Sequence, residues 1–277
     1  MQGIQFANHL PEHAGYFEVP GAHLYTVLHE VKDPITRVLL VGPFASQRHN
    51  SYLPWVRWAR FLAANRIEVL RYDYRGIGES TGVFDEMNLK DWSADVQLLS
   101  SWLDARTPHV PFLLHGLELG AIFAGRAFHA GIADGLLLWS APADANKALR
   151  STLMRWVSLE QIFKCAVERR TASDYIRELE SGSPQEVEGY LWSTRLWQES
   201  FEFSLPAGLA TEETAASEYQ RPVRIVKLAK DAVPLTNGGT PAHDEFKDFN
   251  WLFAPNMECI VANIPASPKK VSYASIH

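Results

Sequence analysis

The chain has 277 residues, a length that favours one domain with an insertion over two equal domains. Hydrophobic residues make up 47% and charged residues 21%, which is typical of a globular protein. The formal net charge of −6 argues against a generic nucleic-acid-binding surface. Two cysteines, Cys165 and Cys259, make no disulfide framework, and we recognise neither a signal peptide nor a transmembrane run. We therefore expect a cytoplasmic protein that binds neither nucleic acid nor membrane, and that uses neither a cofactor nor a metal ion.

Apolar runs that suit strands alternate with stretches of helical periodicity. In chain order, the predicted elements are a hairpin within residues 16–31, a strand at 38–41, a helix at 53–65, a strand at 67–72, a helix at 91–104, a strand at 112–114, a helix at 121–129, a strand at 135–139, and two later strands at 223–228 and 259–262. This alternation predicts a mostly parallel sheet with helices on both faces. Ligands of such sheets bind beyond the carboxyl ends of the strands. The loops at those ends are residues 42–52, 73–82, 115–121 and 229–244.

The alternation of strands and helices stops between residues 145 and 215, where the hydrophobic periodicity is helical. We interpret this segment as a helical cap inserted over the strand ends. The core would then comprise residues 1–144 and 216–277. An extra surface layer of helices with no role at the site is the alternative.

The stretch HGLELGA, residues 115–121, has the glycine spacing of a G-x-S-x-G nucleophile elbow, but Glu118 stands at the serine position. An apolar strand precedes it and a helix of small residues follows, as an elbow requires. A second motif, DYRGIGES at residues 73–80, is a glycine turn that Asp73 and Arg75 can fix by hydrogen bonding.

These motifs resemble the α/β-hydrolase superfamily, in its serine aminopeptidase-like and lipase-like branch, over residues 36–145 and 220–235. Three segments are similar to the exosortase A system-associated hydrolase 2 family. They are the Pro43-Phe44-Ala45 loop, the GLELGA elbow with its LLLW strand, and Glu188-Gly189-Tyr190. That family also lacks the elbow serine, with arginine in its place. The resemblance implies an α/β-hydrolase fold and a role in carrier-bound or polysaccharide-related biosynthesis.

A catalytic triad would need an acid and a histidine after the elbow. Asp231 stands where the resemblance places the acid, although it also suits a loop aspartate that begins a turn. The segment CIVANIPASPKK, where the histidine should follow, contains none. His243 precedes the last predicted strand and His277 is the final residue, so we do not expect Ser-His-Asp chemistry.

Glu118 has several possible roles. Burial would raise its pKa and suit a general base or acid, whereas the following helix N-terminus would favour a fixed negative charge. A covalent ester is a third role, for which the hydrolysing base is missing. A structural residue paired with Arg48 or Arg126 is the fourth.

The resemblance assigns an oxyanion hole to the backbone amides of Phe44 and Leu119, because Pro43 has no N–H. A polar cluster follows and is a candidate for substrate binding, although its members could be solvated loop residues: Arg48, His49, Asn50 and Tyr52. We expect His115 to be a packed core histidine rather than a base.

Three functional hypotheses follow. The first is a non-hydrolytic enzyme that acts on a small acyl, carboxyl-linked or carrier-tethered intermediate, with Glu118 as base or electrostatic anchor and Asp231 as supporting acid. The second is a non-catalytic pseudo-hydrolase that binds a protein partner or an acyl-carrier protein. The third is an atypical esterase.

Overall fold

A computed structural model describes residues 11–227 and contains one seven-stranded sheet with helices on both faces. The strands of that sheet are β1 (Glu12–Val19), β2 (Ala22–His29), β3 (Thr36–Val41), β4 (Ile67–Tyr72), β5 (Phe112–Leu117), β6 (Gly135–Trp139) and β9 (Val223–Val226). Its order is β1-β2-β4-β3-β5-β6-β9. The predicted hairpin and the predicted strands of the first half are thus confirmed.

The strands differ in direction. β1 pairs with β2 and β2 with β4 in antiparallel fashion, whereas β4, β3, β5, β6 and β9 are mutually parallel. Every residue of β3 and β6 is buried, which explains their continuous apolar runs. Because the chain leaves β3 for β4 on one side and later adds β5 on the other, the strand order switches direction beside β3. Such a switch point is where open α/β sheets bind ligands.

Three helices cover the two faces of the sheet: α1 (Gln47–Ala64), α2 (Leu89–Arg106) and α3 (Leu119–His129). Trp58 and Leu62 of α1 pack against one face together with Trp139, while α2 and α3 join the larger cluster on the other face. None of the helices within residues 11–227 is both long and apolar enough to cross a membrane.

The start of α1 differs from the prediction, which gave residues 42–52 as a loop. The helix begins at Gln47, whose N–H donates to the carbonyl of Phe44 at 2.8 Å, and the N–H of Arg48 donates to Ala45 at 3.0 Å. The residues of this first turn and a half are mostly polar, so hydrophobic periodicity could not reveal them.

The segment between β6 and β9 contains the predicted helices and a short antiparallel hairpin that the sequence did not indicate. Its elements are α4 (Ala145–Phe163), α5 (Ala172–Ser181), β7 (Gln185–Val187), β8 (Tyr190–Trp192), α6 (Thr194–Glu199) and α7 (Glu212–Glu218). Glu188 (φ 50°) and Gly189 (φ 80°) form the hairpin turn, as two-residue turns with positive φ commonly do. The cap boundaries at 145 and 215 stay a prediction, and the strand predicted at 259–262 lies outside the described residues.

Candidate active site at the elbow

Glu118 occupies the turn between β5 and α3 in a backbone conformation that non-glycine residues rarely adopt. Its φ is 53° and its ψ −121°. The Glu118 N–H donates to the carbonyl of Trp139 at 2.9 Å, and its carbonyl accepts from Ala121 at 2.9 Å, so the chain turns sharply from strand to helix. Strained residues of this kind cluster at functional sites. The elbow predicted from glycine spacing is therefore a real strand-turn-helix turn.

Two glycines allow this turn to pack against the end of β3. A Cβ on Gly120 would run into the carbonyl oxygens of Val41 and Gly42, and one on Gly116 would run into the backbone of Ala121. The close approach brings the loop after β3 beside the elbow. The Tyr74 hydroxyl donates to the Gly42 carbonyl at 2.9 Å and holds this loop from the side of β4.

The Glu118 carboxylate accepts a hydrogen bond from the chain's own loop after β3. The Phe44 N–H donates to Glu118 Oε2 at 3.2 Å. The Leu119 amide lies near enough to this carboxylate to favour its charged form, so both amides assigned to an oxyanion hole lie beside the Glu118 side chain. The donors that would stabilise a substrate oxyanion are directed at a resident carboxylate.

Burial raises the pKa of the Glu118 carboxyl above its ordinary value, and three weaker effects oppose this rise. The opposing effects are the hydrogen bond from the Phe44 amide, the nearby amide of Leu119 and the positive charge of Arg155. Sequence reasoning left the balance between burial and the helix N-terminus open. In the folded chain, desolvation outweighs the groups that favour the anion.

The side chain of Arg48 pairs with Asp73. Its Nε and Nη2 donate to the two oxygens of Asp73 at 2.9 and 2.8 Å, and its guanidinium lies 4.7 Å from the centre of the Tyr52 ring. Arg126 lies over the ring of Phe203. The suggested pairing of Glu118 with Arg48 or Arg126 is therefore not the arrangement found.

The other members of the predicted polar cluster lie on α1 rather than in a loop. His49 is exposed, and its Nε2 lies 3.4 Å from the hydroxyl of Tyr190 in the cap hairpin. Tyr52 is 41% exposed. Asn50 belongs to the same helix, but its side chain is outside the part of the chain that the structure describes.

Sequence reasoning missed Arg155, which α4 brings to the elbow. Its Nε and Nη2 donate to the carboxylate of Glu188 at 2.7 and 2.6 Å, and Nη2 also donates to Ser46 Oγ at 3.3 Å. Glu188 belonged to a segment that carried the family resemblance, but an arginine inside a long amphipathic helix gives no signal of its own.

His115 is fully buried and packs against Trp55 and Trp139, with ring centres 5.0 and 4.3 Å away. Its Nδ1 lies 3.1 Å from the carbonyl of Leu137, and burial lowers its pKa to about 3. An imidazole with so low a pKa is a weak base, and this one is enclosed by tryptophan rings, so His115 is a packed core residue.

Several predicted residues fall outside the described residues: Asp231, His243 and His277. Within residues 11–227, no group of three or more His, Cys, Asp or Glu side chains is arranged to hold a metal ion.

The strand order and the elbow define the class of this fold: the chain has the α/β-hydrolase fold, as the sequence predicted. No family model matches the chain, and no curated protein is similar to it in sequence.

Solved structures are similar to it in fold. An α/β-hydrolase, GrgF from Penicillium sp. sh18, is 15% identical with a TM-score of 0.56, over 92% of this chain and 99% of that one. Est1E from Butyrivibrio proteoclasticus, whose structure has ferulic acid bound, is 12% identical with a TM-score of 0.53, over 78% of this chain and 89% of that one. At these identities, the similarity establishes the fold.

Proposed function

We propose that this protein is an enzyme of the α/β-hydrolase fold that transfers a proton instead of hydrolysing a bond, with Glu118 as its general base or acid. The observation that carries this proposal is a partly buried carboxylate at the strained elbow, with a raised pKa and one oxygen held by the Phe44 amide. A general base or acid works best when its pKa lies near the operating pH, and burial moves Glu118 in that direction.

The amide contacts favour proton transfer over ester hydrolysis. In a serine hydrolase, such amides stabilise the oxyanion of the tetrahedral intermediate. Here Glu118 Oε2 accepts from Phe44, so a substrate carbonyl could use the same donor only after displacing the carboxylate. A carboxylate held in this way is well oriented to exchange a proton with a carbon or heteroatom beside a carbonyl.

The substrate class comes from the sequence resemblance. We propose a small acyl, carboxyl-linked or carrier-tethered biosynthetic intermediate, handled in the cytoplasm, with Asp231 as a supporting acid. The exposure of His49 and Tyr52 supports a role at the entrance of the site. Arg48 serves this region indirectly, because its guanidinium is engaged by Asp73.

A non-catalytic pseudo-hydrolase is the second candidate, and the same hydrogen bond favours it. If the Glu118 carboxylate never leaves the Phe44 amide, it permanently occupies the oxyanion hole and excludes a substrate oxygen from it. The protein would then bind a partner or an acyl-carrier protein without turnover.

Hydrogen-deuterium exchange at the α-carbon of acyl N-acetylcysteamine thioesters, followed by proton NMR in D₂O, tests the first candidate. We expect the wild type to catalyse exchange and Glu118→Gln to lose it by about 100-fold, since positioned bases contribute about that factor. Glu79→Gln, which removes an exposed acid in the turn after β4, is the matched control and should retain activity.

The outcomes separate the hypotheses. Equal exchange by wild type and Glu118→Gln would refute a proton-transfer role for Glu118. Binding of the thioester without exchange would favour the pseudo-hydrolase. Release of p-nitrophenol from p-nitrophenyl esters that disappears in Glu118→Gln would instead establish an atypical esterase.

A further inference from the structure

Arg155 joins three segments around the elbow. It projects from α4, its guanidinium is held by Glu188 in the turn of the cap hairpin, and it donates to Ser46 of the core loop at 3.3 Å. The side-chain oxygen of Gln47 also accepts from Arg155 in the amide orientation that satisfies both groups. The arginine is 32% exposed and Glu188 only 11%, so the pair is shielded from solvent on one side.

The same core loop holds Glu118. Ser46 lies two residues after Phe44, whose amide donates to the Glu118 carboxylate. A contact from the cap to Ser46 therefore restrains the loop that fixes one oxygen of Glu118. Two hydrogen bonds and the short backbone segment between Phe44 and Ser46 therefore link Arg155 to Glu118.

The hairpin turn between β7 and β8 places Glu188 against Arg155. Glu188 has a φ of 50°, a conformation that costs a non-glycine residue free energy. Its carboxylate points inward onto both Nε and Nη2 of Arg155, a bidentate arrangement that fixes the direction of the guanidinium. Glu188 thus pairs directly with Arg155, whereas Glu118 interacts with this arginine only through its charge.

We propose that Arg155 is a positioning residue that acts on Glu118 from the cap, both through its charge and by restraining the loop of residues 44–46, while Glu188 sets how strongly that charge acts on Glu118. This inference rests on the proposed function of Glu118. The ionisable groups that face the elbow carboxylate within the described residues are Arg155 from α4 and Tyr74 from the turn after β4. Arg155 is the one that favours the anion, because Tyr74 is neutral and its own pKa is raised by burial and by the charge of Glu118.

Carbon-13 NMR titration of glutamate side chains in the full-length protein tests the proposal, with Glu118 assigned by its loss in Glu118→Gln. We expect Arg155→Met to shift the measured pKa of Glu118 upward and Glu188→Gln to shift it downward. Arg155→Lys should fall between wild type and Arg155→Met, since it keeps the charge without the bidentate contact.

The matched control is Arg150→Met, on the same helix, because Arg150 lies over Trp197 and donates to Asn146. It should leave the titration of Glu118 unchanged. An Arg155→Met titration that coincides with wild type would overturn the proposal. If Arg155→Met does not fold, the Glu188→Gln and Arg155→Lys titrations test the proposal instead. A pKa of Glu118 that is the same as in the wild type in both variants would overturn it.

This result is independent of turnover. Shifts in the Arg155 series without any thioester exchange would retain the positioning role while removing the proposed reaction. Exchange that depends on Glu118 but a titration indifferent to Arg155 would do the reverse.

Discussion

Two glycine-containing turns follow the strands on either side of β3, and the acidic residues at these turns differ in the partners that they bind. In the turn after β4, Asp73 pairs with Arg48 and Arg75 pairs with the buried Asp95. In the elbow after β5, Glu118 accepts from the Phe44 amide, and within residues 11–227 the cation that favours its charged form is Arg155 of α4. The first turn has its charges neutralised locally and is a structural support. The second keeps a carboxylate with a raised pKa, which suits a group that gains and loses a proton.

The largest expected effect comes from breaking the first turn. Asp95→Ala would leave the guanidinium of Arg75 buried without its partner, since Asp95 is fully buried and Arg75 is 8% exposed. We expect the free energy of unfolding to fall by about 3–5 kcal/mol in urea denaturation. The exposed Glu79→Ala should change it by less than about 0.5 kcal/mol. Comparable values for the two variants would show that the turn is not supported by this pair.

A smaller loss is expected from Asp73→Asn. The side chain of Arg48 is 24% exposed and water can replace part of the lost interaction, so we expect about 1–2 kcal/mol in the same measurement. A loss as large as that of Asp95→Ala would mean that Asp73 also organises the glycine turn through the N–H of Glu79.

The smallest effect on stability, and the most diagnostic, concerns the pH dependence of Glu118→Gln. Because the folded pKa of Glu118 is raised above the unfolded value, the folded state binds more protons between the two. Wild-type stability should therefore decrease as the pH rises from the unfolded pKa, about 4.3, through the folded pKa. Glu118→Gln should lack this part of the decrease when denaturation curves are compared across that range. Parallel curves would show that Glu118 titrates as in water.

Much of this site followed from local sequence. Glycine spacing within residues 115–121 located the elbow because only glycine permits the approach to Val41 and Gly42. The apolar runs of β3 and β6 indicated buried parallel strands for the same kind of reason, since both faces of those strands are covered. The polar start of α1 was not predicted, because the first turn of this helix is formed by backbone hydrogen bonds and has no apolar periodicity.

The sequence by itself determined the α/β-hydrolase fold, the position of Glu118 at the elbow, and the lack of a serine there. Only the tertiary structure decided how that carboxylate is held, because burial and hydrogen bonding depend on segments far apart in the chain. Phe44 reaches Glu118 across 74 positions, and Arg155 arrives on a cap helix to meet Glu188 and Ser46. The proton affinity of Glu118 is thus a property of the assembled fold.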